Sequence, residues 1–245
     1  MKHFNYIVLF CFFFLIFGLS RIYAQDANAL LINMDKVLFS AKDKQGKVTI
    51  ILTDKSGKQS VREASMMQKG NDKKLYRYTK PENQAGIATL SLANGVMWLY
   101  MPAFEKPKKI SLLAKSQAFT GTDFSYEDMA NDSYSDRYTA TILETGSDYY
   151  QLQLTPKNDK SSYGKIIVKI NKTAFYPLKI DYFNGKGKKF KEATYVYEMV
   201  GKYWNASEVV MTDLEKNHST TIHLSEMKFD QGIADDQFTM EKLKL

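Results

Sequence analysis

The chain has 245 residues, a formal net charge of +7 and a single cysteine, Cys11, which lies inside an apolar N-terminal run. That thiol count excludes a disulfide framework, cysteine-based metal sites and thiol nucleophiles from the rest of the chain. Lysines are scattered rather than gathered into one stripe, so the basic excess describes a solvated surface, and no nucleic-acid partner is expected.

Residues 1–24 read as a secretory signal peptide. Lys2 is followed by an apolar run over 4–19, broken only by Asn5, and Ala24 supplies a small residue before Gln25. The run is shorter than the ~20 apolar residues of a membrane anchor. Cys11 follows the bulky Phe10, whereas a lipidated cysteine wants a small residue before it. Cleavage after Ala24 removes Lys2 and Arg21, and with them two of the seven positive units.

Asp26 is placed to cap a helix over 27–40. Leu30, Leu31, Met34, Val37 and Leu38 form one stripe at helical spacing, with Asn33, Asp35 and Lys36 off it. From Lys47 the period becomes strand-like, over 48–53, 60–68 and 75–79. The short turns at Ser56-Gly57 and Gly70-Asn71-Asp72 imply antiparallel neighbours.

The stretch 81–129 organises the chain. Asn94-Gly95 between two β-rich runs is a hairpin signal, because both central residues of such a turn need positive φ. After it, Met97, Leu99 and Met101 point to one side and Trp98 and Tyr100 to the other. Both faces are apolar, so this strand lies in a core or faces a cavity, and periodicity does not separate the two. Beyond the basic turn at Lys106, Lys108 and Lys109 comes a segment without two-residue periodicity. Its Phe119, Phe124, Tyr126 and Met129 surround Gly121 and suit a mobile cover; the plainer alternative is a loop with a helix cap at Asp123 or Ser125.

Strands are then predicted over 138–144, 149–155, 165–171, 178–183, 193–200, 208–214 and 220–229. Their regular spacing argues for one curling all-β sheet. In the last, Ile222 and Leu224 share one parity and Met227 and Phe229 the other, so a bulge near Ser225 or Glu226 is expected. No linker or repeat divides the chain, and 25–245 is expected to form one domain.

Catalytic chemistry is poorly supplied. His218 and His223 fall on opposite faces of a strand, the adjacent acids Glu127-Asp128 and Asp235-Asp236 diverge, and no nucleophile elbow or phosphate loop occurs. No enzyme, cofactor or metal is expected. The 16 Tyr, 15 Phe and 11 Met instead suit an adaptable apolar wall, because methionine is unbranched and polarizable.

Gly86-Ile87-Ala88, Trp98-Leu99-Tyr100-Met101-Pro102-Ala103, Lys109-Ile110 and the run from Gly121 to Met129 form a long ordered pattern. It resembles the outer membrane lipoprotein-sorting, LolA-like family, with Met101 and Thr122 where that family usually has Leu and Ser. Tyr176 to Ile180, Val209 to Asp213 and Ile233 to Leu243 extend the resemblance. It implies a mainly β fold: a strongly curved, incompletely closed antiparallel barrel with the N-terminal amphipathic helix and a short helical lid over its concave side. It further implies a periplasmic carrier that holds lipoprotein acyl chains or another lipid, with an inner-membrane transporter and an outer-membrane acceptor as partners. The expected ligand-binding residues are Leu30, Met34, Leu38, Trp98, Tyr100, Met101, Phe119, Phe124, Tyr126 and Met129. A non-enzymatic accessory module of an inner-membrane lipid or RND-type exporter is the alternative.

Overall fold

A computed structural model describes residues 26–111, 114–130 and 132–244. The signal segment 1–24 lies outside the described residues. After helix α1 (Ala27–Leu38) come strands β1 (Asp43–Thr53), β2 (Gln59–Lys69), β3 (Lys73–Lys80), β4 (Ala88–Leu92), β5 (Val96–Tyr100) and the short β6 (Lys108–Lys109). Two single-turn helices, α2 (Tyr126–Met129) and α3 (Tyr134–Arg137), precede β7 (Tyr138–Thr145) and β8 (Tyr149–Pro156). Next are β9 (Lys165–Asn171), β10 (Pro177–Phe183), β11 (Lys189–Val200), β12 (Tyr203–Asp213), β13 (His218–Phe229) and a last turn, α4 (Met240–Leu243).

Among the described residues, 13 strands form one sheet in the order β6-β5-β4-β3-β2-β1-β13-β12-β11-β10-β9-β8-β7. Every pairing is antiparallel, and the sheet does not close, because β6 and β7 are its two edges. These edges are consecutive in sequence. The chain between them must therefore cross the open side of the sheet, which is why one long segment without strand periodicity exists at all.

The local rules hold closely. Asp26 caps α1 by accepting the Asn28 N–H at 2.9 Å. Asn94 and Gly95 take φ of 60° and 67° in the turn joining β4 to β5. The expected bulge lies in β13: pairing with β1 shifts between Gln45↔Lys228 and Lys47↔Ser225, and Glu226 has φ 53°. Gly46 faces it, where a Cβ would come within 2.2 Å of the Met227 sulfur, so only glycine fits without a shift.

The inner face of the sheet carries Val48, Ile50, Met66, Tyr76, Tyr78, Met97, Leu152, Val168, Ile180 and Met211 in one continuous core with Leu30, Leu31 and Met34 of α1. That both halves of the strand order contribute to one cluster requires the sheet to curl. The outer face of β3 to β5 carries a second, smaller core of Leu75, Ala88 and Leu90, closed by Ile233, Phe238 and Leu243 of the C-terminal segment. The Asp43 carboxylate seats that segment by accepting the N–H groups of Gln231, Gly232 and Ile233 at 2.7, 2.9 and 3.1 Å.

One off-stripe residue of α1 departs from expectation. Asp35 is buried, because its two oxygens accept the Tyr134 and Ser135 N–H groups at 2.9 and 2.7 Å and so start α3. Burial, opposed by those hydrogen bonds, raises its carboxyl above the ordinary range.

Candidate functional site

Residues 114–130 cover the inner face. Phe119 donates its N–H to the Phe124 carbonyl at 2.7 Å, making a tight loop around Thr120 and Gly121. Ser125 then caps α2 with a reciprocal capping box, its hydroxyl accepting the Asp128 N–H while Asp128 accepts the Ser125 N–H. This geometry forces the apolar side chains inward: Phe119 is 2 % exposed, Phe124 6 %, Tyr126 7 % and Met129 9 %. Phe119 meets Tyr76 and Tyr126 edge-on at 5.7 and 5.4 Å between ring centres, and Tyr76 meets Tyr78 at 5.6 Å. Such pairs contribute about 0.5–1.5 kcal/mol each beyond their burial.

Polar contacts pin the same segment at several points. Arg62 of β2 donates to the Thr120 carbonyl at 2.6 Å, and the Tyr78 hydroxyl lies 2.5 Å from Thr120 Oγ1. Thr120 itself has φ 47°, a rare conformation for a β-branched residue, which these contacts hold in place. Thr220 of β13 accepts the Asp123 N–H at 3.0 Å and donates to Asp123 Oδ2 at 2.7 Å.

The deepest contact is an ion pair. Lys191 of β11 donates to Asp128 Oδ2 at 2.7 Å, with both side chains almost fully buried, and the Tyr163 hydroxyl donates to Asp128 Oδ1 at 2.6 Å. Burial alone would raise the Asp128 carboxyl, but Lys191, Tyr163 and the Ser125 N–H outweigh it and hold it below its ordinary value. Its neighbour Glu127 is tied elsewhere. It accepts from Ser161 Oγ at 2.7 Å, the Ser162 N–H at 2.8 Å and Arg137 at 3.3 Å. The two adjacent acids do diverge, and each is satisfied by a different partner.

The structure brings Leu30, Met34, Phe119, Phe124, Tyr126 and Met129 into one cluster, with Leu38 half-buried at its edge. Trp98 and Tyr100 are not with them. They point to the outer face and pack on the C-terminal segment with Ile233, Phe238 and Leu243. The two-sided apolarity of β5 thus reflects covers on both faces, and the inward residues are Met97 and Leu99. Met101 is half-buried just beyond β5, at the entry to the turn Pro102–Phe104.

Sequence reasoning missed the polar half of the site: Arg62, Tyr78, Tyr163, Lys191 and Thr220. One signal was available. Arginine is scarce in this lysine-rich chain, and the three arginines after the signal segment each tie a covering element. Arg62 holds Thr120, Arg137 holds Glu127, and Arg77 donates to the Lys242 and Leu243 carbonyls at 2.5 and 3.4 Å. A planar multi-donor cation suits such clamping better than an ammonium. Where residues 114–130 end, a cleft of about 490 Å³ opens, lined by polar groups including Asn71, Asn94, Lys115, Arg137 and Lys160.

An open curled sheet, an N-terminal helix and a pinned aromatic segment across the opening form a distinctive architecture, and comparison with solved structures finds it repeated. A domain described as an outer membrane lipoprotein-sorting protein from Vibrio parahaemolyticus superposes with a TM-score of 0.81 at 27 % identity, covering 89 % of this chain and 98 % of that one. A family model described as "-like: Uncharacterized protein" matches residues 70–245. The chain belongs to the family of that model, and it shares the LolA-like fold of outer membrane lipoprotein-sorting proteins over most of its length.

Two further solved structures share this fold. A LolA superfamily protein from Nitrosomonas europaea gives a TM-score of 0.76 at 24 % identity over 89 % of this chain and all of that one. A DUF1329 family protein from Desulfovibrio piger gives 0.82 at 24 % identity, covering 88 % and 97 %. No curated protein sequence matches significantly. The expected LolA-like architecture, mainly antiparallel and incompletely closed with a helix at its N-terminus, is thus the one observed.

Proposed function

We propose that this LolA-like protein is a periplasmic carrier that takes the acyl chains of lipoproteins, or of another lipid, onto the inner face of its sheet and moves them towards the outer membrane. The observation that carries this reading is the burial of four bulky side chains from one crossing segment, Phe119, Phe124, Tyr126 and Met129, against the wall an acyl chain would need. In this reading the segment is a lid, and its side chains compete with lipid for the same wall.

The energies permit exchange. Burying each such side chain contributes about 1.5–3 kcal/mol, so the four give about 6–12, while an acyl chain of about 16 carbons at about 0.8 kcal/mol per methylene gives about 12. The upper end of the lid range meets the acyl-chain value, so lid and lipid compete for one wall, as loading and unloading require. The polar pins and aromatic contacts of the closed lid set the remaining difference.

The proposed acyl-binding wall is Leu30, Met34 and Leu38, with Met97 and Leu99 behind them, and Phe119, Phe124, Tyr126 and Met129 are the lid side chains that lipid displaces from it. Domain 25–245, freed from signal segment 1–24, would shuttle between an inner-membrane transporter and an outer-membrane acceptor. No catalytic role is proposed, since the buried acids of the site are engaged in holding the lid. Native mass spectrometry of protein purified from its periplasm tests this reading. Co-purified lipid or lipoprotein in stoichiometric amount is expected; a partner protein with no lipid would instead indicate an exporter accessory module.

A further inference from the structure

The inner face is not apolar throughout. Lys44 of β1 pairs with Gln68 of β2, Gln68 with Lys74 of β3, Lys74 with Ser91 of β4, and Ser91 with Met97 of β5. Directly paired residues share a face, and Met97 belongs to the inner core, so both lysines point inward. They flank the buried Gln68 from two strands roughly 9.5 Å apart at the backbone.

Their surroundings are unusual for lysine. The neighbouring Lys69 and Lys73 point outward and share Asp235 at 2.7 and 3.1 Å. Lys44 and Lys74 are half-buried, and among the described residues neither pairs with a carboxylate. Among the described residues, their one hydrogen bond to the lid is a long one, from Lys74 Nζ to the Met129 carbonyl at 3.4 Å. Burial draws both ammonium groups down to about 8, with the charge of Lys44 contributing to the shift at Lys74. At neutral pH they are two desolvated cations lacking a counter-charge, beside an apolar wall and the last turn of the lid.

We propose that Lys44 and Lys74 form a subsite for an anionic head group, a carboxylate or a phosphate, borne on an acyl chain that lies along the inner face. The inference rests on the carrier reading. A bound oxyanion supplies the missing counter-charge through charge-assisted hydrogen bonds, and it draws Lys74 away from the lid carbonyl. The cargo is then an acidic amphiphile, with its head over β1 to β3 and its tail along the wall that Phe119 and Phe124 cover in the closed lid.

The test is displacement of a fluorescent fatty acid by oleate, by oleoyl lysophosphatidate and by neutral oleyl alcohol. It compares wild type with Lys44→Met, Lys74→Met, the double variant, and the charge-keeping double variant Lys44→Arg/Lys74→Arg. Methionine keeps the apolar stem, and thermal melting checks that each variant is folded. The expected result is tenfold or greater loss of affinity for the anionic lipids in the double Met variant, with oleyl alcohol unchanged and the Arg pair restoring binding. Whichever of the two anions loses more identifies the head group. Equal affinities of wild type for all three lipids, or equal losses for charged and neutral lipids, would overturn the subsite while leaving the carrier standing. Failure of all three lipids to bind wild type would overturn both.

Discussion

Phe124 is the side chain on which the lid account is most exposed. It is buried on the inner face and sits between two pinned points, Thr120 and Ser125. Truncating it to alanine removes apolar contact from the closed state more than from the lipid-loaded one. Phe124→Ala is therefore expected to tighten fatty-acid binding up to about tenfold, for a difference of ~1.4 kcal/mol between the two states. Displacement titration reads this directly, and weaker binding would mean that Phe124 contacts lipid instead. Trp98 gives the contrasting case. It packs on Ile233 and Phe238 outside the sheet, so Trp98→Ala should cost about 3 kcal/mol or more in chemical unfolding and leave lipid affinity within twofold. Sequence alternation correctly separated Met97 and Leu99 from Trp98 and Tyr100 but could not say which pair faced inward. That depends on where the C-terminal segment docks, through Asp43 almost 190 positions away in the chain.

At the scale of the lid, stability comes from a buried charge pair, and pairs of this kind respond asymmetrically to mutation. Lys191→Met leaves Asp128 buried and uncompensated, a loss of about 3–5 kcal/mol, whereas Lys191→Met combined with Asp128→Leu should cost distinctly less. A double-mutant cycle followed by denaturant unfolding measures the difference. Acid should act on the same pair. Asp128 is held below its ordinary value in the fold, so its stabilisation is fully present above the unfolded value of about 3.9 and is lost as pH falls through the lower folded value. Amide exchange in 114–130, corrected for its intrinsic pH dependence, should therefore accelerate below about pH 4 before that of the central strands. A helix cap at Asp123 or Ser125 was legible in the sequence, and it falls at Ser125, whose reciprocal partner Asp128 lies three residues on. Lys191 was not, since nothing local distinguishes it from the other strand lysines.

The whole molecule follows from the placement of two edges. Strands β6 and β7 end the sheet on opposite sides, so the chain joining them spans the opening and becomes the cover. The strands, the β13 bulge and the first helix could be read from periodicity and turn chemistry, because each is fixed by neighbours in sequence. The edge-to-edge crossing could not, since it depends on β1 pairing with β13 across nearly the whole chain. The central claim is that lipid displaces this crossing segment from the inner face. Hydrogen exchange followed by mass spectrometry, with and without saturating oleate, tests it most directly. Lipid is expected to deprotect 114–130 while β1, β9 and β13 stay protected; unchanged or increased protection of 114–130 in the lipid-bound protein would show that the segment stays on the inner face.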